Sequence, residues 1–519
     1  MRLHWFFAAG LLASAAQAAT CTGPVPSVSG PAWNGWADAA NTRFQNTKAA
    51  GLTAQNTPKL KLKWAFGFPG AITAQGTPTV FGGRVFVGDA NGVVYSLDAR
   101  SGCTYWTFAA TGGVRNSPVL DNAGRSVYFG DLKGNVYALD AANGQQRWKT
   151  RADENPMGVI TGSPKLETGR LFVPVSGRDE SQAATNPSYE CCKFRGSLVA
   201  LDAATGKKIW QAYTVRDEPK VIGQNPKGAK AWGPSGAVPW SSPTIDLQKK
   251  VVYIGTGVNY SKPTTDTSDA IMAFDMQSGR LLWTRQFTGD DSWNFACSQT
   301  DRNNKTNCPR DPIIDADLGN SGMLRSLTGG KRVLVTSDKS GMVYGIDPDD
   351  QGKVLWKLKI AKGGVNGGTM WGGAAGDRGI AYIGISDFTA GKPETGGGLV
   401  ALQMATGEKL WMTPAPKAAC LAVRGCSAAQ PAPVTAIPGV VFLGSWDGHL
   451  RAYETSAGKI IWDFDTLRDF ESVNGVKAHG GSINSMGPAI AGGMVYITSG
   501  YGGNAMPGNV LLAFSVDGK

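Results

Sequence analysis

Two adjacent cysteines, Cys191 and Cys192, stand in SGRDESQAATNPSYECCKFRGSLVALD. Oxidised to each other, they close an eight-membered ring and present a flat, rigid sulfur surface; two independent thiols, or bridges elsewhere, are the alternatives. Asp179, Glu180 and Glu190 lie around them and offer the hard oxygen atoms that suit Ca2+, although a solvated acidic loop would look the same. Trp240, in GAVPWSSPTI, precedes an expected strand and suits either core packing or a stacking face for a planar ligand. Asn259 follows YIGTG as a loop amide that could coordinate a cation or bond a polar ring. In QFTGDDSWNFACSQTDRNNKTNC, Asp290, Asp291 and Asn294 crowd Trp293. Paired carboxylates there fit calcium coordination, a general base, or a loop cap. Arg115, in TGGVRNSPVL, and Lys339, in VTSDKSGMVYGID, supply the cations that a di- or tricarboxylate would need.

The elements that position these groups come from a repeat. Seven segments of the form VALDAATGKKIW place a glycine turn four residues before Trp106, Trp148, Trp210, Trp283, Trp356, Trp411 and Trp462. An eighth begins as LLAFSVDGK at the C-terminus without its tryptophan, and KLKLKWAF offers Trp64 without a preceding turn. Within a unit, PTVF, RVFVGD, GVVYSLDA and CTYWTF read as four short strands. The predicted fold is therefore all-β: an eight-bladed β-propeller of four-stranded antiparallel blades, closed by the N- and C-terminal strands. Each repeated tryptophan is expected to cover the tight turn of an adjacent blade. With 70 glycines, 28 prolines and 18% charged residues, composition favours short strands and turns over long helices.

MRLHWFFAAGLLASAAQAA has a basic start, a short apolar run and small residues at its end. It predicts a signal peptide over 1–19, with an N-terminal arm over 20–58 and the propeller over 59–519. The apolar run is too short to span a bilayer, so export without stable membrane insertion is expected. Eight cysteines agree with an oxidising compartment. They fall into the local sets Cys191 with Cys192, Cys297 with Cys308 and Cys420 with Cys426, leaving Cys21 and Cys103 as a long-range pair. No CxxCH occurs, and His4, His449 and His479 are the three histidines, which argues against covalent haem and a histidine zinc site. The net charge of +11 is dispersed without a nucleic-acid reading motif, so nucleic acid is not an expected partner. A basic surface could instead steer an acidic redox partner. Neither a GxGxxG unit nor a GKS/GKT phosphate loop supports a nucleotide cofactor.

The ordered group WNGWADAANTRFQ, SGRDE before YECCKFRGSLVALDAATGKKIW, GTGVNYSKP, TGDDSWNFAC, SDKSGMVYGID, GGTMWGGAA and GGSINSMGPAI resembles the pyrroloquinoline-quinone (PQQ)-dependent alcohol dehydrogenases, especially their polyvinyl-alcohol dehydrogenase branch. The resemblance implies PQQ stacked on Trp240, with the Cys191–Cys192 pair opposite. Arg115, Thr161 and Ser176 would hold the cofactor carboxylates, and Lys339 would stand near its reactive oxygens. It implies a metal at Glu180, with Asp179 as rival for that place, Asn259 substituting beside Val258, and Asp291 as a further oxygen ligand. Ca2+ is expected over a lanthanide because Ala296 stands where a further carboxylate would be needed. Methanol dehydrogenases carry their base aspartate where this chain has Asn294, so Asp291 or Asp290 is the expected replacement.

The implied reaction is periplasmic oxidation of an alcohol, secondary or polymeric such as polyvinyl alcohol, to a carbonyl. Electrons would pass to a separate acceptor, expected to be a c-type cytochrome. The alternative is an exported, non-enzymatic propeller scaffold for protein assembly or binding; a polysaccharide-binding propeller is a third reading.

Overall fold

A computed structural model describes residues 19–26, 30, 32–301, 305–309, 315–376 and 378–519. The expected leader lies outside these residues apart from Ala19. Eight antiparallel sheets form the blades. Blade 1 contains Thr79–Phe81, Arg84–Gly88, Val93–Asp98 and Thr104–Ala109. Blades 2 to 7 follow in the same order, with inner strands Val119–Leu120, Lys165–Glu167, Thr244–Asp246, Met323–Ser326, Ala374–Ala375 and Thr435–Ile437. Blade 8 joins Ala489–Ala491, Met494–Ser499 and Val510–Val516 to Leu60–Gly67, with Leu60 opposite Val516 and Gly67 opposite Val510. The two chain regions thus close the ring without a covalent link.

The repeated motif is explained where blades meet. In blade 3, Asp202 Oδ1 accepts bonds from the Thr205 amide (2.8 Å) and hydroxyl (2.7 Å), which folds LDAATG into a turn. Gly206 then lies at φ 72° against the face of Trp148 from blade 2, where a Cβ would come within 2.7 Å of the ring. The same contact recurs between Gly144 and Trp106 and between Gly458 and Trp411. The indole also donates across the gap, from Trp148 to the Ala203 carbonyl at 3.0 Å and from Trp106 to that of Ala141 at 2.9 Å. At the seam, Trp462 donates to the Leu60 carbonyl (2.9 Å), and Trp64 carries the pattern on to Ala99 (3.2 Å). Between sheets, apolar side chains interlock: Val136 and Ala138 of blade 2 pack with Val173, Val199 and Leu201 of blade 3. Burial of each larger side chain contributes about 1.5–3 kcal/mol.

The N-terminal arm lies across the axis. Trp33 pairs with Val80 of blade 1, Asn34 bonds Leu120 of blade 2, and Lys165 of blade 3 donates to Ala37 and Asp38. Asn41 reaches Thr244 of blade 4, Leu324 of blade 5 donates to Ala40, Arg43 bonds Thr435 of blade 7, and Gln45 reaches Ile490 of blade 8. A short segment that touches so many innermost strands closes one end of the central channel. Approach to the hollow must therefore come from the opposite end. No helix among the described residues is long and apolar enough to cross a membrane.

Candidate active site

All four expected cysteine pairs are present: Cys21–Cys103, Cys191–Cys192, Cys297–Cys308 and Cys420–Cys426. The vicinal pair is held by its surroundings. After the strand Arg170–Gly177 the chain enters the helix Asp179–Thr185. Asp179 accepts bonds from the Tyr189 hydroxyl (2.5 Å) and from the amides of Lys193 and Phe194 (both 2.6 Å). Its carboxylate is thereby committed to shaping the loop that carries the disulfide. From the other side, the Trp232 backbone donates to Cys191 O (2.8 Å) and accepts from Cys192 N (3.3 Å).

Trp240 is half-buried and packs against the buried cluster that contains the disulfide. Glycines let it lie close to the backbone: a Cβ on Gly319 would collide with the indole. A Cβ on Gly257 would strike Asp317 Oδ1 and come 3.3 Å from Trp240 Nε1. Trp371 meets Trp240 edge to face at 4.7 Å, and the Arg115 guanidinium lies 4.6 Å from the Trp371 ring centre. Arg115, Thr161, Ser163, Trp240 and Trp371 line one hollow, and the Thr161 hydroxyl donates to Trp240 O at 3.4 Å. Ser176 is not in that lining; it is buried in the adjoining strand, paired with Val159.

The acidic side of the site is assembled by blades 4 and 5 and the loop between them. Lys339 Nζ donates to Asp317 Oδ2 at 2.6 Å and to Asp315 Oδ2 at 2.9 Å, and lies 5.7 Å from the Trp240 ring centre. Asp317 Oδ1 accepts from the Val258 amide at 2.7 Å. Burial would lower the Lys339 pKa, but Asp315 and Asp317 outweigh it and hold the ammonium above the ordinary lysine range. Burial, then the charge of Asp317, pushes the Glu180 carboxyl up to about 8, with Lys339 and Tyr260 pulling the other way. Asp291 is fully buried and accepts from the Ala316 amide at 3.0 Å through Oδ2, while Oδ1 has no protein partner. Burial pushes it up to about 6. The set holds more carboxylate than cationic charge.

Two expected groups have their side chains engaged by other partners. Asp290 has φ 55°, which turns its side chain outward to Lys262 (2.6 Å) and Thr264 (3.1 Å), too exposed to act in the hollow. Asn259 is buried, but its Oδ1 accepts from Thr265 N (2.8 Å) and its Nδ2 donates to Ser235 O (2.9 Å), so its amide braces a loop. Its backbone carbonyl receives the Trp293 amide at 2.8 Å and so positions the TGDDSWN segment. Asn294 is likewise a brace, donating to Tyr260 O and Asn307 O and approaching Cys191 Sγ at 3.9 Å. Sequence reasoning missed Asp315, Asp317 and Trp371. Trp371 could have been found by its place just before an inner strand, the place that Trp240 holds in blade 4; the aspartates of DADLG carry no comparable local signal.

Among the described residues, no trio of Asp, Glu, His or Cys forms a ready-made metal centre. A flat aromatic face, a sulfur face, an arginine for carboxylates and a carboxylate–ammonium pair at the edge instead fit a planar, polycarboxylated redox ring.

Comparison with known proteins agrees. The family described as "Glucose/ethanol/alcohol dehydrogenase, beta-propeller domain" matches residues 181–300. The one described as "Outer membrane protein assembly factor BamB" matches 36–225, 339–467 and 398–519. Polyvinylalcohol dehydrogenase of a Pseudomonas species is 42% identical, over 96% of this chain and 80% of its own length. That of Sphingopyxis sp. (strain 113P3) is 40% identical, over 97% of this chain and 79% of its own. The crystal structure of quinohemoprotein alcohol dehydrogenase from Comamonas testosteroni shares the fold, with a TM-score of 0.69 and 19% identity, covering 94% of this chain and 81% of that one. The chain belongs to the PQQ-dependent alcohol dehydrogenase family, in the branch that includes the polyvinyl alcohol dehydrogenases. The near-full-length relatives decide between the two matching descriptions, because the blade repeat serves scaffolds and enzymes alike.

Proposed function

We propose that this enzyme oxidises secondary hydroxyl groups, those of polyvinyl alcohol among them, to ketones in the periplasm and passes the electrons to a c-type cytochrome. The reading is carried by the Asp317–Lys339 pair near Trp240, which packs against the cluster that holds Cys191 and Cys192. PQQ, when bound, supplies the two-electron acceptor. Trp240 and the disulfide would hold its two faces, and Arg115 and Thr161 its carboxylates. Ser176 would support them from the adjoining strand. Glu180 is the carboxylate best suited to a Ca2+ ion beside the quinone, since Asp179 and Asn259 spend their polar atoms on the surrounding loops. Asp291 supports that place from beneath the Asp315–Asp317 segment.

Asp317 accepts the hydroxyl proton of the alcohol. It is preferred over Asp291 because it keeps some accessible surface, whereas Asp291 is closed off. Lys339 offsets the charge on Asp317 while the proton moves, and the closed floor of the channel limits water around both. The net change removes two electrons and two protons from each oxidised carbon centre. Adding PQQ with Ca2+, and separately with La3+, to apoprotein tests the reading. A shifted quinone spectrum and dye reduction by secondary and polymeric alcohols are expected. Absence of saturable PQQ binding would remove the enzymatic assignment of these residues.

A further inference from the structure

A second groove, of about 210 Å3, adjoins the outside of the disulfide loop and is lined by Asp153, Lys193, Arg195, Tyr213, Glu218 and Trp232. It is continuous with the active-site wall: Lys193 follows Cys192 in the chain, and Trp232 is the residue whose backbone holds both cysteines. Each aromatic ring carries a cation on one face. The Arg195 guanidinium lies 4.0 Å from the Tyr213 ring centre and Lys193 Nζ 4.4 Å from that of Trp232. Such stacking holds the rings in place. The cations are in turn matched by carboxylates, Arg195 to Glu218 at 3.6 Å and Lys193 to Glu190 at 2.8 Å.

Because these charges cancel locally, the groove offers little net field to a polyanion or to an acidic protein patch. It does offer N–H donors and carboxylate acceptors beside aromatic surface. Along its edge runs the hairpin Lys220–Gln224/Lys230–Gly233, which leaves Val221 and Ile222 exposed by 49% and 47%. A neutral hydrocarbon chain with a hydroxyl on alternate carbons matches this mixture. Its methylene edge covers the rings and the hairpin, and its hydroxyls meet the polar groups.

We propose that this groove binds a segment of a neutral polyhydroxylated polymer some units away from the hydroxyl being oxidised. Tethering there raises the effective concentration of neighbouring hydroxyls at the hollow. The proposal rests on the polymeric-alcohol reading above.

The test uses holoenzyme with Tyr213→Ala and, as a second variant whose altered side chains face solvent, the double substitution Val221→Ser/Ile222→Ser. Two quantities are read: the ratio of kcat/KM for polyvinyl alcohol to that for pentane-2,4-diol, and retardation in a native gel containing the polymer. Both variants are expected to lower the ratio by roughly five- to tenfold, the size of one or two lost apolar contacts, and to lose retardation. An unchanged ratio with unchanged retardation overturns the proposal. Equal losses on both substrates with slower cytochrome reduction also overturn it, assigning the face to the electron acceptor instead. If wild-type enzyme oxidises the diol but not the polymer, the substrate reading fails by itself. Gel retardation of wild type and its loss in the variants would then still support the groove, and no retardation of wild type would overturn it.

Discussion

Lys339 Nζ bridges Asp317 and Asp315, 2.6 Å from one carboxylate and 2.9 Å from the other, with its side chain almost wholly buried. A single ammonium thus holds two segments together: the end of the blade 4–5 loop and the turn after the second strand of blade 5. The other oxygen of Asp317 accepts the Val258 amide, next to Gly257, whose backbone lies against both Asp317 and Trp240. Structure and, in the proposed reaction, chemistry depend on the same ion pair.

Removing that ammonium strands two carboxylates in the interior. Lys339→Met is expected to destabilise the apoprotein by about 3–5 kcal/mol, the cost of breaking a buried pair from one side. Urea unfolding measures it. Lys339→Arg should recover much of the stability and less of the turnover, since the bulkier guanidinium cannot occupy the same point between both acids.

Glu180 gives a pH signature. Its carboxyl is raised to about 8 in the folded chain by burial and by Asp317, so between about pH 4.5 and 8 the folded state binds more protons than the unfolded. Stability from this group is complete below the unfolded pKa and is lost as pH rises through the folded one. The apoprotein Tm is therefore expected to fall across that interval, and Glu180→Gln should flatten the slope. Asp291, raised to about 6, adds a smaller fall at the acid end. An apoprotein Tm that climbs from pH 5 to 8, with no change in Glu180→Gln, would contradict the assignment.

The blade turns make a separate prediction. Gly206→Ala places a methyl group against Trp148 at a φ of 72°, and should cost about 1–3 kcal/mol by overpacking. Gly169→Ala has a similar φ of 76° and nothing within 4 Å of its added Cβ, so it isolates the backbone part of the cost. If the two variants unfold at the same denaturant concentration, the ring contact is not what selects glycine in the motif.

Much of this architecture was legible in the chain because it is locally encoded. The LDAATG turn and its tryptophan recur in register, so blade number, ring closure and the covering of each turn follow from spacing alone. Trp240 stood out by breaking that register. The acidic cluster was less legible because it depends on where loops travel. Asp290 and Asp291 are adjacent, yet the left-handed backbone at Asp290 sends one side chain to Lys262 and the other inward. Asp179 and Glu180 diverge for a related reason: neighbouring positions on a helix turn face different directions, one bonding the cysteine loop and the other interacting with Asp317 and Lys339. Asp315 and Asp317 acquire meaning through Lys339, which is distant in the chain and belongs to another strand connection.

The same geometry sets Asp290 and Asp291 apart from Asp317, and asparagine substitutions read the difference. Asp290→Asn removes only an exposed pair with Lys262 and should leave kcat within about twofold. Asp291→Asn keeps the shape that bonds Ala316 and should lower kcat by no more than about tenfold, through the position of the Asp315–Asp317 segment. Steady-state rates on a secondary alcohol at saturating PQQ and Ca2+ rank them. A ranking with Asp291 as the most damaging would move the proton-accepting role back to it.

The most direct measurement is the single-turnover rate of alcohol oxidation by Asp317→Asn holoenzyme, with bound PQQ verified by its spectrum. The amide keeps the shape beside Trp240 but cannot take a proton, so the rate is expected to fall by about 10²–10⁴-fold while cofactor affinity changes little. A rate within a few-fold of wild type, with the quinone fully bound, would contradict the account.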